Sequence, residues 1–349
     1  MRQYRGNSAT SVTCGRARYN RVVTLKPVLK RILSFVLYYS AIEFLLARLL
    51  SVNAAAVIMY HGVCERSKLP PGIDFHVAPK DFERQLRFLT SRYRVVPLSE
   101  LLAKLRAGAR FNKEVVLTFD DGYRNNLTCA EPILARYHAP FSVFVTTDYI
   151  GSDEWLPLNQ LYALWSAGKI PANDLATLRA RIRTSSREDA RDLMRDLAAR
   201  VRAAQLPDDD SFAMLSWEQV GELAKRGVEI GSHTQTHCSM TAEPAGRRRE
   251  ELQESKKTIE ARLGTAITLF AYPYGRQPHV DPAYGSLVRE CGYECAITVE
   301  QGLVTPGSDP FRLPRMGCHQ SIYMFAGEML RFFLKAKWDQ AFGETICRA

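Results

Sequence analysis

The run Val115-Val116-Leu117-Thr118-Phe119, followed at once by Asp120-Asp121-Gly122, decides how the rest of this 349-residue chain is read. Five β-branched, aliphatic and aromatic residues without polar alternation fit a strand covered on both faces, the kind found in parallel sheets. Two adjacent carboxylates at the end of such a strand are out of place in a core, although an Asp-Gly turn alone would also account for them. The same order recurs. Residues 228–232 read as a strand that leads into His233, and residues 267–271 as one that leads into Tyr272-Pro273-Tyr274-Gly275. Further short strands are predicted at 57–60, 94–98, 142–146 and 294–298. Helical patterns separate them. Pro79 opens one with Phe82, Leu86 and Leu89 on one face, Ser99 caps a second, and Ser216-Trp217-Glu218-Gln219 is a capping box for another. Others cover 130–137, 247–263, 282–291 and 322–338. Strands alternating with helices specify an α/β fold whose parallel strands, joined by right-handed crossovers, close into a barrel-like sheet. Asp120, Asp121 and His233 then stand at C-terminal strand ends, where such barrels carry their active sites.

Residues 151–215 break the rhythm. Patterns at 174–183 and 188–206 read as helices, the second opened by Ser185-Ser186-Arg187-Glu188 as a capping box. The segment is expected to be a helical insertion on the main domain, serving as a lid, a docking surface or neither.

Hydrophobic residues make up 46% and charged residues 24% of the chain, which excludes a wholly disordered, collagen-like or polytopic membrane protein. The formal net charge of +10 is unevenly placed: residues 1–50 hold nine Lys/Arg against Glu43, so the body is nearly neutral. A nucleic-acid-binding surface spread over that body is thereby excluded. Within residues 1–54, eight Lys/Arg and no acid precede position 32, and an apolar stretch follows at 32–42. That stretch is about half the length a spanning helix needs. It reads as an amphipathic or packing helix at an anionic membrane surface, as a signal-anchor with Ala54-Ala55-Ala56 as its small-residue site, or as a tail with a core helix. The eight cysteines form no C-x-x-C pair, which removes a zinc ribbon or thioredoxin motif. Scattered over so long a chain, they fit buried reduced thiols about as well as disulfides; on the reduced reading, a cytoplasmic location, peripheral at the inner membrane, is expected. The alternative is a signal-anchored protein facing the periplasm.

His233-Thr234-Gln235-Thr236-His237 places two imidazoles at i and i+4. On one helical turn both would share a face and bind one cation, though solvated or capping histidines show the same spacing. Adjacent buried carboxylates repel each other, and a cation removes that penalty. Asp121, His233 and His237 together give the ligand count of a catalytic rather than a structural zinc site. Zinc there would polarise a carbonyl and lower the pKa of its water, with Asp120 free as general base.

Thr118-Phe119-Asp120-Asp121-Gly122-Tyr123 with His233-Thr234-x-x-His237 resembles the paired motifs of the polysaccharide deacetylase family, the NodB-homology domain of carbohydrate esterase family four. The resemblance spans roughly residues 55–320, with 151–215 outside its core and 321–349 as a helical tail. It implies a distorted (β/α) barrel and metal-dependent removal of N-acetyl groups from an amino-sugar polymer, oligosaccharide or lipid-linked glycan. By position it makes Asp120 the catalytic base, and Asp121, His233 and His237 the ligands of a divalent metal, zinc foremost. Phe270-Ala271-Tyr272-Pro273-Tyr274-Gly275 matches the family's third motif, a groove wall. Tyr272, Pro273 and Tyr274 are its substrate-binding residues, and the Tyr274 N–H is a candidate oxyanion donor. Ala271 stands where many members have an Arg that orients the catalytic Asp. Phe311-Arg312-Leu313-Pro314-Arg315 lies where the fourth motif belongs, without its usual Asp and Trp. Arg315, ahead of Arg312, is the candidate for the missing guanidinium, a surface ion pair being the alternative. This variant pattern, with Tyr60-His61-Gly62, is similar to deacetylases of exported poly-N-acetylglucosamine. A Leu-x-His for the leaving amine is not clearly present, so the general acid stays open between His61, at a strand end, and His319.

The competing reading is a non-catalytic glycan-binding or assembly module that keeps the metal site. The missing third-motif Arg favours it, and the retention of both Asp120 and Asp121 opposes it. His76, His138 and His279 read as structural, Cys238 as a small buried side chain, and Trp155 and Trp217 as sugar platforms or packing residues.

Overall fold

A computed structural model describes residues 25–40, 51–65, 73, 75–200 and 210–342. Its strands are β1 (Ala56–Tyr60), β2 (Gly62–Val63), β3 (His76–Val77), β4 (Arg94–Val95), β5 (Glu114–Phe119), β6 (Ser142–Val145), β7 (Glu229–Ser232), β8 (Leu269–Ala271), β9 (Cys295–Gln301) and β10 (Leu313–Gly317). The pairings between them are parallel. Because β1 pairs with both β5 and β10, the strands β1-β5-β6-β7-β8-β9-β10 close into a ring. β4 lies beside only the start of β5, at Glu114 and Val115, while β6 lies beside its end, at Thr118 and Phe119. The expected (β/α) barrel is therefore present, with seven strands in its ring and helices around it.

The side-chain period of two in β5 places the chemistry. Val115, Leu117 and Phe119 pack outward in the core shared with the helices, whereas Val116 packs inward with Val57, Phe144, Leu269, Ile297 and Leu313. Thr118 and Asp120 continue the inward row. All of β5 is buried, which is why its sequence shows no polar alternation.

Several sequence expectations need correction. The strand after Arg94 stops at Val95 rather than running to residue 98, since Pro97 cannot donate to a ladder and instead precedes the helix Leu98–Arg106. Ser99 does not cap that helix. The Glu229 carboxylate does, accepting from Leu98 N (2.8 Å) and Ser99 N (3.0 Å), and also from Ser142 Oγ (2.8 Å). Ser186, not Ser185, caps the helix Arg187–Arg200, with Asp189 as its partner. Residues 1–24, 41–50, 201–209 and 343–349 lie outside the described residues, and with them part of the predicted apolar stretch and the end of the predicted 188–206 helix. The Ala54-Ala55-Ala56 run is buried, and Ala55 pairs with Val304.

The segment between β6 and β7 folds into the helices Pro157–Ser166, Ala172–Thr184 and Arg187–Arg200. They build a small core of Leu161, Leu164, Ile170, Ile182, Ala190 and Met194. The first helix was not expected. Its Leu161 and Leu164 face this small core while Tyr162 packs in the main one, so it has no polar face to give an amphipathic signature. No helix among the described residues is long and apolar enough to cross a membrane.

His76 on β3 is buried as expected, among the rings of Phe75, Tyr123 and Phe212. Its Nε2 is 3.1 Å from Ser211 O, and Nδ1 has no partner. Burial, then the charge of His61, lowers its pKa from 6.5 to about 3. The unfolded chain therefore binds a proton between those values that the folded one does not. Stability should be unaffected by this group above pH 6.5 and should fall by about 1.4 kcal/mol per unit as pH drops through that window. Denaturant unfolding of the wild type and His76→Phe across pH 4–7 checks this; the variant is expected to show the shallower acid slope.

Candidate active site

Asp121 and Gly122 have φ of +75° and +90°, so the chain turns sharply where β5 ends. A Cβ on Gly122 would stand 2.9 Å from Ile150 Cδ1, so the turn needs glycine twice over. The two successive carboxylates take different partners. Asp120 is gripped end-on by Arg315, with Nη1 to Oδ1 at 2.8 Å and Nη2 to Oδ2 at 2.7 Å. Arg315 also donates to Thr118 Oγ1 (3.2 Å) and Thr298 O (2.7 Å). Both members of the pair are buried, at 1% and 2% exposure. Burial raises the Asp120 pKa, but the charges of Arg315 and His233 and the bidentate bonds hold it below the ordinary carboxylate value. Arg315 reaches this place because it follows Leu313 by two on β10 and so shares its inward face. Arg312 lies elsewhere, paired with Glu300 at 2.6 Å.

Asp121 Oδ1 lies 3.2 Å from His237 Nε2 and 3.5 Å from His233 Nε2. This oxygen is buried with no hydrogen bond aligned on it. One ligand atom from each of the three residues falls within 4.8 Å of the others. His233 Nδ1 is 2.8 Å from Ala271 O, so as the donor there it leaves Nε2 with its lone pair toward Asp121. Burial raises the Asp121 pKa, yet the two imidazoles hold it well below the usual range. An orphaned carboxylate oxygen beside two convergent imidazole nitrogens fits a divalent cation.

The His233–His237 spacing does not act through a helical turn. Thr234 and His237 have φ of +67° and +60°, and the segment is a loop. Its shape comes from hydrogen bonds: His237 N donates to Thr234 Oγ1 (2.9 Å), and Asp148 N to Gln235 O (2.9 Å). Glu251, buried on the helix Ala245–Leu263, accepts from Thr236 N (2.9 Å) and Thr236 Oγ1 (2.8 Å). Nothing in the polar sequence of that helix marked this residue. Glu251→Ala should weaken metal affinity by about 10–100-fold, as loss of outer-shell support does. Competition with a fluorescent zinc chelator measures it.

These groups open into a cleft of about 410 Å³, lined also by His61, Phe75, Tyr123, Leu158, Tyr162, Arg183, Tyr274, Arg276 and His279. A larger groove of about 820 Å³, between Asn53, Gln301 and Lys335, contains no histidine and lies away from this chemistry. The Tyr274 ring stands 4.9 Å from that of His237. Tyr272 and Pro273 do not line the cleft. Tyr272 is buried against Phe270 and donates to Phe311 O (3.3 Å), because it follows Phe270 by two and so shares the outward face of β8, in the core under the helices. Trp155 packs on Phe212, and Trp217 lies under Arg262, so neither is a platform for sugar in the cleft. His319 is tied to Glu328 and its carbonyl to Gln85, away from the site. His279, read as structural, lines the cleft and bonds with Ser239 Oγ at 3.1 Å. Burial keeps the Cys238 thiol protonated, raising its pKa well above the ordinary value. The insertion contributes a wall that the sequence did not reveal: Tyr162, Arg183, and Asn159, which bonds with the Tyr123 hydroxyl.

Among known proteins, YxkH of Bacillus subtilis, named as a polysaccharide deacetylase, is 21% identical over 262 residues, 74% of this chain and 70% of that protein. The poly-β-1,6-N-acetyl-D-glucosamine N-deacetylase of Staphylococcus epidermidis is 27% identical over 120 residues, covering 31% of this chain and 42% of its own. The fold is similar to that of the Streptococcus pyogenes deacetylase PplD (TM-score 0.56, 18% identity, 81% of this chain and 99% of that one). It is equally similar to IcaB from Ammonifex degensii (TM-score 0.56, 20% identity, 80% and 98%). The sequence model of the polysaccharide deacetylase family matches residues 108–296, more than half the chain and the stretch that carries Asp120, Asp121, His233 and His237, so the chain belongs to that family.

Proposed function

We propose that this chain is a metal-dependent N-deacetylase of an N-acetylated amino-sugar glycan, with Zn²⁺ held by Asp121, His233 and His237. The observation that carries the reading is the pairing of two functions at one strand end. Asp121 converges with two imidazoles, while Asp120 is kept ionised and immobile by Arg315. A glycan-binding module needs a metal cluster at most; it has no use for a second, separately clamped carboxylate. The donor set of one oxygen and two nitrogens also accepts cobalt, nickel or manganese. A cation held by Asp121, His233 and His237 would supply polarisation of the acetamide carbonyl and a more acidic water.

The chain's own groups do the rest. Asp120 takes the proton of the attacking water, and Arg315 holds its carboxylate in the required orientation. The Tyr274 N–H, on a residue with φ of +60° beside His237, donates to the oxygen that gains charge. His61, lining the cleft opposite the third-motif loop, delivers a proton to the leaving amine. His61→Ala should lower turnover by about 10²–10⁴-fold with metal content unchanged. Unchanged turnover would remove it from the mechanism. The name of the Staphylococcus epidermidis relative supports a poly-N-acetylglucosamine type of substrate. Acetate release from N-acetylglucosamine oligomers, measured for purified, chelated and zinc-restored protein, tests the whole reading. Release that ignores chelation would overturn it.

A further inference from the structure

The cleft takes in two guanidinium groups that deacetylation does not use. Arg183 comes from the inserted helix Ala172–Thr184, and Arg276 from the loop after Gly275. Among the described residues neither forms an ion pair. Arg183 Nε is buried without a hydrogen-bond partner, and its Cζ stands 5.9 Å from the Tyr274 ring centre. That ring in turn lies 4.9 Å from the His237 ring, so one aromatic residue separates the guanidinium from the metal cluster. Arg276 spends only Nε, on Val299 O at 3.2 Å. The acids lining the cleft are Asp120 and Asp121, the first paired with Arg315 and the second turned to the imidazoles of His233 and His237, whereas the two guanidinium groups make their own contacts at Tyr274 and Val299. The insertion side of the cleft is therefore left with uncompensated positive charge. An uncharged N-acetylated sugar chain gives such a pair only neutral acceptors, hydroxyl, ether and amide oxygens, whereas phosphate or carboxylate accepts two parallel charge-assisted N–H bonds from a guanidinium.

We propose that the substrate carries an anionic group beside its N-acetylated sugar, and that Arg183 and Arg276 bind that group. The substrate class rests on the deacetylase reading; the anion site does not. Calorimetry with the full chain compares N-acetylglucosamine 1-phosphate, a hyaluronan tetrasaccharide and a neutral N-acetylglucosamine tetramer. The first two separate phosphate from carboxylate. One of them should bind at least about tenfold more tightly than the neutral tetramer, and in chelated protein too, as a charge-assisted contact independent of metal predicts. Arg183→Gln/Arg276→Gln should bring that ratio near one, and Arg183→Lys/Arg276→Lys should recover part of it. Equal affinities in the wild type, or a preference that survives the Gln pair, would overturn the proposal. Anion preference without acetate release from any probe would count against the deacetylase reading alone.

A different surface supports a second inference. The large apolar side chains exposed among the described residues all belong to two helices, Leu25–Tyr39 and Ile322–Phe342. The first docks on the second through Ser34 against Gly327 and through Arg31 and Phe35 on Tyr323. Its opposite side presents Leu29, Ile32, Leu33 and Val36, each at least half exposed and spaced as one helical stripe. Trp338 and Phe342 stand exposed one turn apart on the second helix. A monomer in water seldom carries such a face without using it. The basic segment supplies the complement: eight Lys/Arg and no acid within residues 1–31. We infer that this face lies on an anionic membrane surface without crossing it. In sedimentation with vesicles, the full chain should pellet with phosphatidylglycerol-containing vesicles and stay in solution with pure phosphatidylcholine. Leu33→Glu/Val36→Glu, at exposed positions, should cut the bound fraction about tenfold. Binding unchanged by this pair, or no binding by the wild type, would overturn the inference. So would a wild-type dimer in light scattering that the same pair dissociates, which would assign the face to a second copy.

Discussion

Arg315→Met is expected to destabilise the protein by about 3–5 kcal/mol, because it leaves a buried carboxylate without its partner. It should also remove most of the turnover. The two effects share one cause. Asp120 owes its low pKa to charges that outweigh burial, chiefly Arg315. Without the guanidinium, burial pushes the carboxyl pKa upward, toward the protonated form that cannot serve as a general base. The pH dependence gives a sign to test. In the wild type the depressed pKa contributes stability that is present above the unfolded value and is lost as pH falls through the folded one. In Arg315→Met the folded pKa is raised, so the Asp120 contribution turns unfavourable as pH rises. The stability gap between the two proteins should therefore widen from acid toward neutral pH, and the acid limb of kcat/KM should move upward in the variant. Arg315→Lys keeps charge but not the two-pronged grip, and should fall between. Asp120→Asn/Arg315→Met removes both charges and should regain stability relative to Arg315→Met while remaining inactive. A double variant no more stable than the single one would show that packing around Arg315, and not the ion pair, sets the cost.

Arg315 also marks how far the sequence could be read. The absence of Arg at Ala271 and the Arg at 315 pointed to one replacing the other, and the two-residue period from Leu313 explains why the replacement reaches the same carboxylate. Yet β10 itself was not recognised as a strand. Pro314 sits within it, and a proline inside a run argues against a central strand. The barrel accommodates it where the register of β10 against β9 shifts between Leu313 and Arg315. β5 was legible because it is a short apolar run ending at residues too polar for a core, and β7 because a short strand-length segment after Gly227 leads straight into His233. The His233–His237 pair was legible as a cluster but not as a shape. A spacing of four suits a helical turn, and it takes the bond of His237 N to Thr234 Oγ1 together with long-range bonds to Glu251 and from Asp148 to make the loop. Tyr272 was misplaced because a motif assigns residues in sequence, whereas the turn at Tyr274 decides which side chain faces the cleft. Arg183 left no local signal at all. It enters the site through the packing of an insertion whose first helix has no polar face.

His237→Ala should abolish both acetate release and the thermal response to zinc, and Asp120→Asn should abolish only the first. A ligand that binds the folded state alone stabilises it by RT ln(1 + [L]/Kd), about 4 kcal/mol at a thousandfold excess over Kd. In the wild type, chelation should therefore lower the melting temperature and stop turnover, and zinc should restore both. His237 supplies one of three donors, and the remaining two cannot close a site of this kind. Asp120 gives one lone pair of each carboxylate oxygen to Arg315, which fixes its orientation and leaves the remaining lone pairs to accept a proton from water rather than to complete the metal site. Asp120→Asn should accordingly lower the starting melting temperature, by leaving Arg315 without its counter-charge, yet preserve the increment that zinc adds. The increment, not the absolute temperature, is what separates the roles. If Asp120→Asn loses it, Asp120 is a metal ligand and the protein lacks a free base at this strand end. If His237→Ala keeps it, the cation sits elsewhere and the Asp121–His233–His237 cluster is an ion pair network that happens to face the cleft.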